Sequence, residues 1–177
     1  AFEGNRVITW LASYPRSGNT MTRIVMNSRF GLETYSVHGD RFDIGADADV
    51  ARITGHAGSD PISPKRLAVM RASERNYFVK THFLPDFRTS TDDRVVYVVR
   101  DGRDVMCSYF HYLQQFSSRY RSFRDVILGQ VPFGLWAAHV EAWEQAIDGQ
   151  GKIVRYESFL DDPEGFVSVL SGFLGVP

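Results

Sequence analysis

Four short apolar runs constrain this chain more than any other feature: Val7 to Tyr14, Tyr77 to Thr81, Val95 to Arg100, and Lys152 to Tyr156. Each is rich in Val, Ile, Tyr or Phe, and none alternates cleanly between apolar and polar residues. A strand that faces water on one side must alternate, because successive side chains point to opposite faces. Unbroken runs therefore predict strands buried on both faces, as in a parallel sheet covered by helices. Helices are expected over residues 19–30, 102–116, 133–148 and 162–174. Asp101 is the expected N-cap of the second, and Asp162-Pro163-Glu164 is the start signal of the fourth. Trp136, Val140, Trp143 and Ile147 recur at helical spacing along one face of the third. Strands alternating with helices mean an α/β fold. Residues 31–75 and 116–132 lack periodicity and are expected to be irregular insertions serving as lids or binding loops.

The first apolar run leads into Ser13-Tyr-Pro-Arg-Ser-Gly-Asn-Thr20. A strand that ends in a glycine turn and opens a helix binds anions, because free backbone N–H groups and the positive helix end point at the ligand. A phosphate loop reads G-x-x-x-x-G-K-[ST]. Gly18 and Thr20 fit its second half, but Ser13 stands for the first glycine, Asn19 for the lysine, and the positive charge sits earlier, on Arg16. Thr20 and Asp101 could hold a metal in a kinase or NTPase, yet the lysine for the terminal phosphates is missing and Arg100 disrupts the pattern around Asp101.

Composition narrows the classes. The 177 residues suffice for one domain with a substantial core. A net charge of −1 offers no bulk attraction to nucleic acid or an anionic membrane. The cations are seventeen Arg against three Lys; the planar guanidinium fork suits phosphate oxygens, although genome composition can produce the same bias. A single cysteine, Cys107, permits no intrachain disulfide and suits a reducing, cytoplasmic setting. No apolar run is long enough to predict a membrane span. The chain begins with Ala, not Met, and is expected to be part of something longer.

Two further stretches, FVKTHFLP at 78–85 and RVVYVVRDGRDVMCSYFHY at 94–112, complete a resemblance. With the Tyr14-to-Met21 loop, Val131-Pro132-Phe133-Gly134-Leu135-Trp136 followed by His139-Val140 and Trp143, and Tyr156-Glu157-Ser158-Phe159, the chain resembles sulfotransferases that use 3′-phosphoadenosine 5′-phosphosulfate (PAPS) as donor. Five stretches fall in the family's order over about residues 7 to 177. The resemblance implies a three-layer αβα architecture with a central parallel sheet, like that of P-loop nucleoside-triphosphate hydrolases. It implies one sulfotransferase domain over residues 1–177, without the family's C-terminal glycine-rich basic loop. It also implies transfer of a sulfuryl group to a small-molecule hydroxyl or amine, release of 3′-phosphoadenosine 5′-phosphate (PAP), and no metal.

The same resemblance assigns roles. Arg16, in place of the family's usual Lys, is expected to stabilise charge developing on the bridging oxygen. Ser17, Gly18, Asn19 and Thr20 are expected to form the amide and hydroxyl cradle. His82 is the expected general base, since imidazole titrates near neutral pH and follows a buried strand where open α/β sheets bind ligands. Lys80, on the same face, is expected to hold the sulfuryl oxygens. Arg100 and Ser108 are expected at the 3′-phosphate, with Arg103 a competing candidate. Met21, in place of the family's Trp, and Tyr156 are expected near the adenine, although Tyr156 equally reads as a buried aromatic. His38, His56, His111 and His139 show no metal-ligand spacing with Cys107. Phe83, Phe87, Phe110 and Phe116 could line an acceptor cavity or belong to the core. A non-catalytic 3′-phosphoadenosine-binding module and a P-loop kinase are the alternatives.

Overall fold

A computed structural model describes residues 8–38, 47–58, 60–86, 88–116, 122–147, 149 and 151–177. In chain order the elements are β1 Ile8–Ser13, α1 Asn19–Phe30, β2 Thr34–Ser36, α2 Ala48–Ile53, α3 Pro64–Ala72, β3 Tyr77–Thr81, β4 Arg94–Val99, α4 Gly102–Phe116, α5 Phe123–Ile127, α6 Trp136–Ala146, β5 Gly151–Arg155, α7 Tyr156–Asp161 and α8 Pro163–Leu174. The five strands form one sheet in the order β2-β3-β1-β4-β5. Every pairing is parallel.

The parity of the strands separates two cores. Ile8, Trp10 and Ala12 of β1, Val79 of β3, and Val95 and Tyr97 of β4 pack on one face with Leu67 and Met70 of α3 and Trp143 of α6. Leu11, Phe78, Val96 and Val98 pack on the other with Val25 and Met26 of α1 and Phe166, Leu170 and Leu174 of α8. Both faces of each central strand are thus covered, which is why the runs do not alternate. Each side chain of this size contributes roughly 1.5–3 kcal/mol when fully buried. A third cluster joins Val105, Tyr109 and Leu113 of α4 to Val126 of α5 and Tyr14.

Asp101 does cap the start of α4, its carboxylate accepting the Arg103 N–H at 2.9 Å. Asp162 does the same for α8 through Gly165 N–H at 3.0 Å. The described residues of the span 31–75, expected to be irregular, hold β2, α2 and α3. β2 is three residues long, too short for a periodic signal, and α2 buries no residue. The segment 116–132 likewise holds α5. The third expected helix begins at Trp136, not at 133, because Phe133 and Gly134 take positive φ values of 73° and 70°. No helix among the described residues is long and apolar enough to cross a membrane.

Candidate active site

From β1 the chain passes to β2 and β3 on one side, then crosses to β4 and β5 on the other. This makes the carboxyl end of β1 a switch point, where doubly wound sheets open a crevice. Ser13 ends β1, Thr81 ends β3, Val99 ends β4 and Arg155 ends β5. The next residues along the chain are the loop 14–18, His82, Arg100 and Tyr156. Sequence-distant candidates therefore meet at one edge.

The loop closes as a turn, with Ser17 N–H bonded to Tyr14 O at 3.3 Å. Gly18 follows as N-cap of α1 at φ 105°, with no side chain capping the helix and no acidic residue in its first turn. The first amides of α1 consequently lack intrahelical acceptors and present the positive end of the helix. A Cβ at Gly18 would lie 2.5 Å from Tyr156 Cδ2, so the tyrosine ring rests directly on this glycine. Asn19 turns inward, donating to Leu11 O at 2.9 Å and Ser13 Oγ at 3.2 Å. The residue that replaces the phosphate-loop lysine thus locks the end of β1. Ser17 is fully buried, Thr20 is exposed, and Met21 packs on the core beneath α1.

Arg16 is exposed and has a φ of 70°. Its Nε donates to Ser108 Oγ at 3.1 Å, and its guanidinium lies 5.2 Å above the Tyr112 ring. Ser108, expected with Arg100 at the 3′-phosphate, accepts this hydrogen bond from the loop arginine. Arg100 forms an ion pair with Asp104 at 3.3 Å and stacks on Tyr156 at 4.8 Å. Arg103 turns back to Asp101 and holds that carboxyl well below the usual carboxylate range. Asp101 is committed to this cap, and its own N–H donates to Glu157 Oε1 at 2.8 Å. Among the described residues, Ser17 Oγ, Asn19 Oδ1 and Arg100 Nε are buried without a hydrogen-bond partner. Two of these, Ser17 Oγ and Arg100 Nε, are donors.

His82 lies 2.7 Å from Ser13 O through Nδ1. A carbonyl can only accept, so Nδ1 carries the proton and the neutral ring has its lone pair on Nε2. Ser13 leads into the loop 14–18, so the imidazole sits beside the start of that loop. Lys80 is buried on β3, opposite Leu11 of β1 and Ser36 of β2. Its side chain shares the sheet face of Leu11 and Phe78, toward α1.

Three aromatic groups gather at His82: His38 and Phe133, which no expectation placed in the site, and Phe83, one of the four phenylalanines expected in the acceptor cavity or the core. His38 Nε2 accepts the His82 N–H at 2.9 Å, and the two rings are 5.3 Å apart. Phe83 stacks on His38 at 4.6 Å, and Phe133 sits 5.7 Å from both His82 and Phe83. Phe133 keeps this position in a left-handed conformation that costs on the order of 1–3 kcal/mol. On the other side, His139 Nε2 meets His82 O at 3.0 Å. His139 belongs to the apolar spacing of α6, between Trp136 and Trp143, which was the available signal. Phe110 packs away from this group against Phe123. Phe87 and the Phe116 side chain lie outside the described residues. His56 contacts Arg23, and His111 is exposed on α4. No group of three or more His, Cys, Asp or Glu side chains among the described residues is arranged to hold a metal ion.

The family model for the sulfotransferase domain matches residues 8–177. Sulfotransferase 4A1 of Mus musculus is 26% identical over 181 aligned residues, covering 94% of this chain and 59% of that protein. Flavonol 3-sulfotransferase of Flaveria bidentis is 27% identical over 191, covering 95% and 56% respectively. The chain thus spans about three-fifths of the length of these relatives. In structure it is similar to mouse sulfotransferase SULT7A1 complexed with PAP, with a TM-score of 0.68, 20% identity, and coverage of 99% of this chain and 61% of that one. It is equally similar to retinol dehydratase in complex with androsterone and the inactive cofactor PAP, with a TM-score of 0.68, 22% identity, and coverage of 98% and 61%.

Proposed function

This chain belongs to the sulfotransferase domain family, and from that premise we propose that it transfers a sulfuryl group from PAPS to the hydroxyl or amine of a small-molecule acceptor. The observation that carries the reading is His82 Nδ1 bonded to Ser13 O, the residue that opens the anion loop. That bond sets a proton-accepting nitrogen beside an uncapped helix terminus.

When bound, PAPS supplies an activated sulfuryl group on a phosphate leaving group. The chain's residues divide the remaining work. The first amides of α1 and the Ser17 hydroxyl hold the 5′ anion. Arg16, aimed by Ser108 and Tyr112, places a permanent positive charge where negative charge grows as the S–O bond breaks. Arg cannot give up a proton at neutral pH, so its contribution is electrostatic. Lys80 neutralises the sulfuryl oxygens. Arg100, braced by Tyr156, takes the 3′-phosphate through its unpartnered Nε, with Ser108 at the same wall. Met21 and Tyr156 border the adenine. His82 Nε2 accepts the acceptor's hydroxyl proton as the oxygen attacks. The amides, arginines and lysine neutralise the anion without a metal, and Asp101, the acid a kinase would need, is engaged by Arg103.

Calorimetry with PAP, ADP and adenosine 5′-phosphate tests the reading. Binding of PAP at least tenfold tighter than ADP is expected, as is loss of that preference in Arg100→Ala. Equal binding of the nucleotides, or turnover abolished by EDTA and restored by Mg²⁺, would overturn it. PAP binding without sulfuryl transfer would reduce the site to a binding module.

A further inference from the structure

We propose that His139, oriented by Tyr97, is a positioning residue that holds the His82 peptide and so aims the His82 imidazole. The proposal rests on the sulfuryl-transfer reading for its kinetic consequence, though the geometry stands apart from it. His82 begins the irregular segment after β3, where no sheet partner fixes the chain. Its peptide is instead clamped at both ends by imidazoles. The N–H donates to His38 Nε2 at 2.9 Å, and the carbonyl oxygen receives His139 Nε2 at 3.0 Å. Trp143 Nε1 donates to the next carbonyl, Phe83 O, at 3.1 Å, extending the clamp along α6.

Donor and acceptor arithmetic sets every proton. The His82 carbonyl can only accept, so His139 carries its proton on Nε2. Its Nδ1, 2.9 Å from Tyr97 Oη, then accepts the Tyr97 hydroxyl proton. Tyr97 lies on β4 and His139 on α6, both fully buried. Tyr14 meets His139 edge-on at 5.5 Å and bonds Gly134 O at 2.8 Å, tying the same group to the loop. Burial pushes His139 down to about 4, so the ring stays neutral near pH 7 and keeps one donor and one acceptor. His82 is consequently held at its carbonyl by a rigid chain that begins on β4, and at Nδ1 by Ser13 on β1. Two fixed points and one rotatable ring leave Nε2 a single direction.

The test uses the full chain with three variants. His139→Leu keeps volume but removes both hydrogen bonds. His139→Gln can donate an amide to His82 O and accept from Tyr97. Tyr97→Phe removes only the hydroxyl. Imidazole ¹⁵N–¹H correlation spectra at pH 7.5 should show His82 as the Nδ1–H tautomer and His139 as the Nε2–H tautomer in the parent chain. His82 should become a tautomer mixture in His139→Leu and remain single in His139→Gln. With 2-naphthol as acceptor, His139→Leu should lower kcat tenfold or more while KM for PAPS and the Kd for PAP stay within twofold. Tyr97→Phe should lower kcat threefold or more, and His139→Gln should restore most of the loss.

An Nδ1–H tautomer at His139, an unchanged His82 spectrum in His139→Leu, or equal losses in Leu and Gln would overturn the proposal. If His139→Leu fails to fold, Tyr97→Phe carries the kinetic test, and wild-type kcat there would count against the chain of bonds. A parent chain that binds PAP but transfers nothing to any acceptor would strike the functional reading, leaving the tautomers to judge the clamp.

Discussion

Arg16 Nε donates to Ser108 Oγ at 3.1 Å, joining the loop 14–18 to α4 across 92 residues of sequence. The guanidinium is also seated over Tyr112. A flexible cation in the crevice would lose rotamer entropy whenever it bound an anion. Here that ordering is already present in the folded chain. Arg also differs from Lys in presenting several donors in one plane, so it can keep Ser108 and still face a ligand.

Arg16→Lys should therefore lower turnover about tenfold and Arg16→Ala about 10²–10³-fold, the range for removing one preorganised transition-state donor. Ser108→Ala should chiefly raise KM for PAPS. Initial rates with radiolabelled PAPS separate these effects. Equal turnover in Arg16→Ala and the parent chain would remove Arg16 from the mechanism.

His82→Ala should reduce kcat by about 10²–10⁴-fold, the usual contribution of a positioned general base. The Kd for PAP should move less than threefold, because the ring bonds Ser13 O at the end of β1 and packs with His38 and Phe133. Single-turnover rates and calorimetry on the same preparation check both halves. A large loss of PAP affinity would mean that His82 shapes the loop instead of moving a proton.

Gly18→Ala should weaken PAP binding at least tenfold and destabilise the chain by about 1–3 kcal/mol, the range for a strained left-handed residue. Two causes act together: a φ of 105° and a Cβ only 2.5 Å from Tyr156. Adding Tyr156→Ala removes the clash but not the strain. The double variant should recover part of the stability lost in Gly18→Ala, relative to Tyr156→Ala alone. Urea denaturation of the four chains gives the coupling, and strict additivity would contradict the contact.

Stability should fall as pH drops from about 6.5 toward 4. His139 is held down to about 4 by burial, whereas in the unfolded chain it titrates near the ordinary value of about 6.5. Between these values the unfolded state binds the extra proton, so stability rises with pH, at up to about 1.4 kcal/mol per pH unit for this one group. The contribution is fully present above about 6.5 and lost as the pH falls to about 4. His139→Gln should flatten this limb in urea titrations at several pH values. An unchanged slope would show that His139 titrates alike in both states.

The α/β class was legible in the sequence because burial on both faces of a strand abolishes alternation, and β1, β3 and β4 carry that mark. β5, expected to be buried in the same way, is an edge strand that buries only Val154 and leaves Lys152, Ile153 and Arg155 exposed. α1 and α4 were read at their observed bounds, since Gly18 and Asp101 are strong local punctuation. The strand, glycine turn and helix start around Gly18 were legible for the same reason, because they are contiguous in the chain. β2, α2 and α5 were not legible, because elements of three to six residues draw their stability from neighbours and not from a pattern of their own.

What only the tertiary structure decided is the set of partners. Ser108, expected at the 3′-phosphate, accepts a hydrogen bond from Arg16 of the loop. Asn19 was expected in the cradle and turns its side chain to β1. His38, Phe133 and His139 come from three separate segments and converge on His82. Local order is encoded in spacing along the chain, which a sequence displays directly. Hydrogen bonds between residues 44, 57 or 92 positions apart depend on the order in which parallel strands are laid side by side. That order follows from the packing of helices on both faces, and no short stretch of residues carries it.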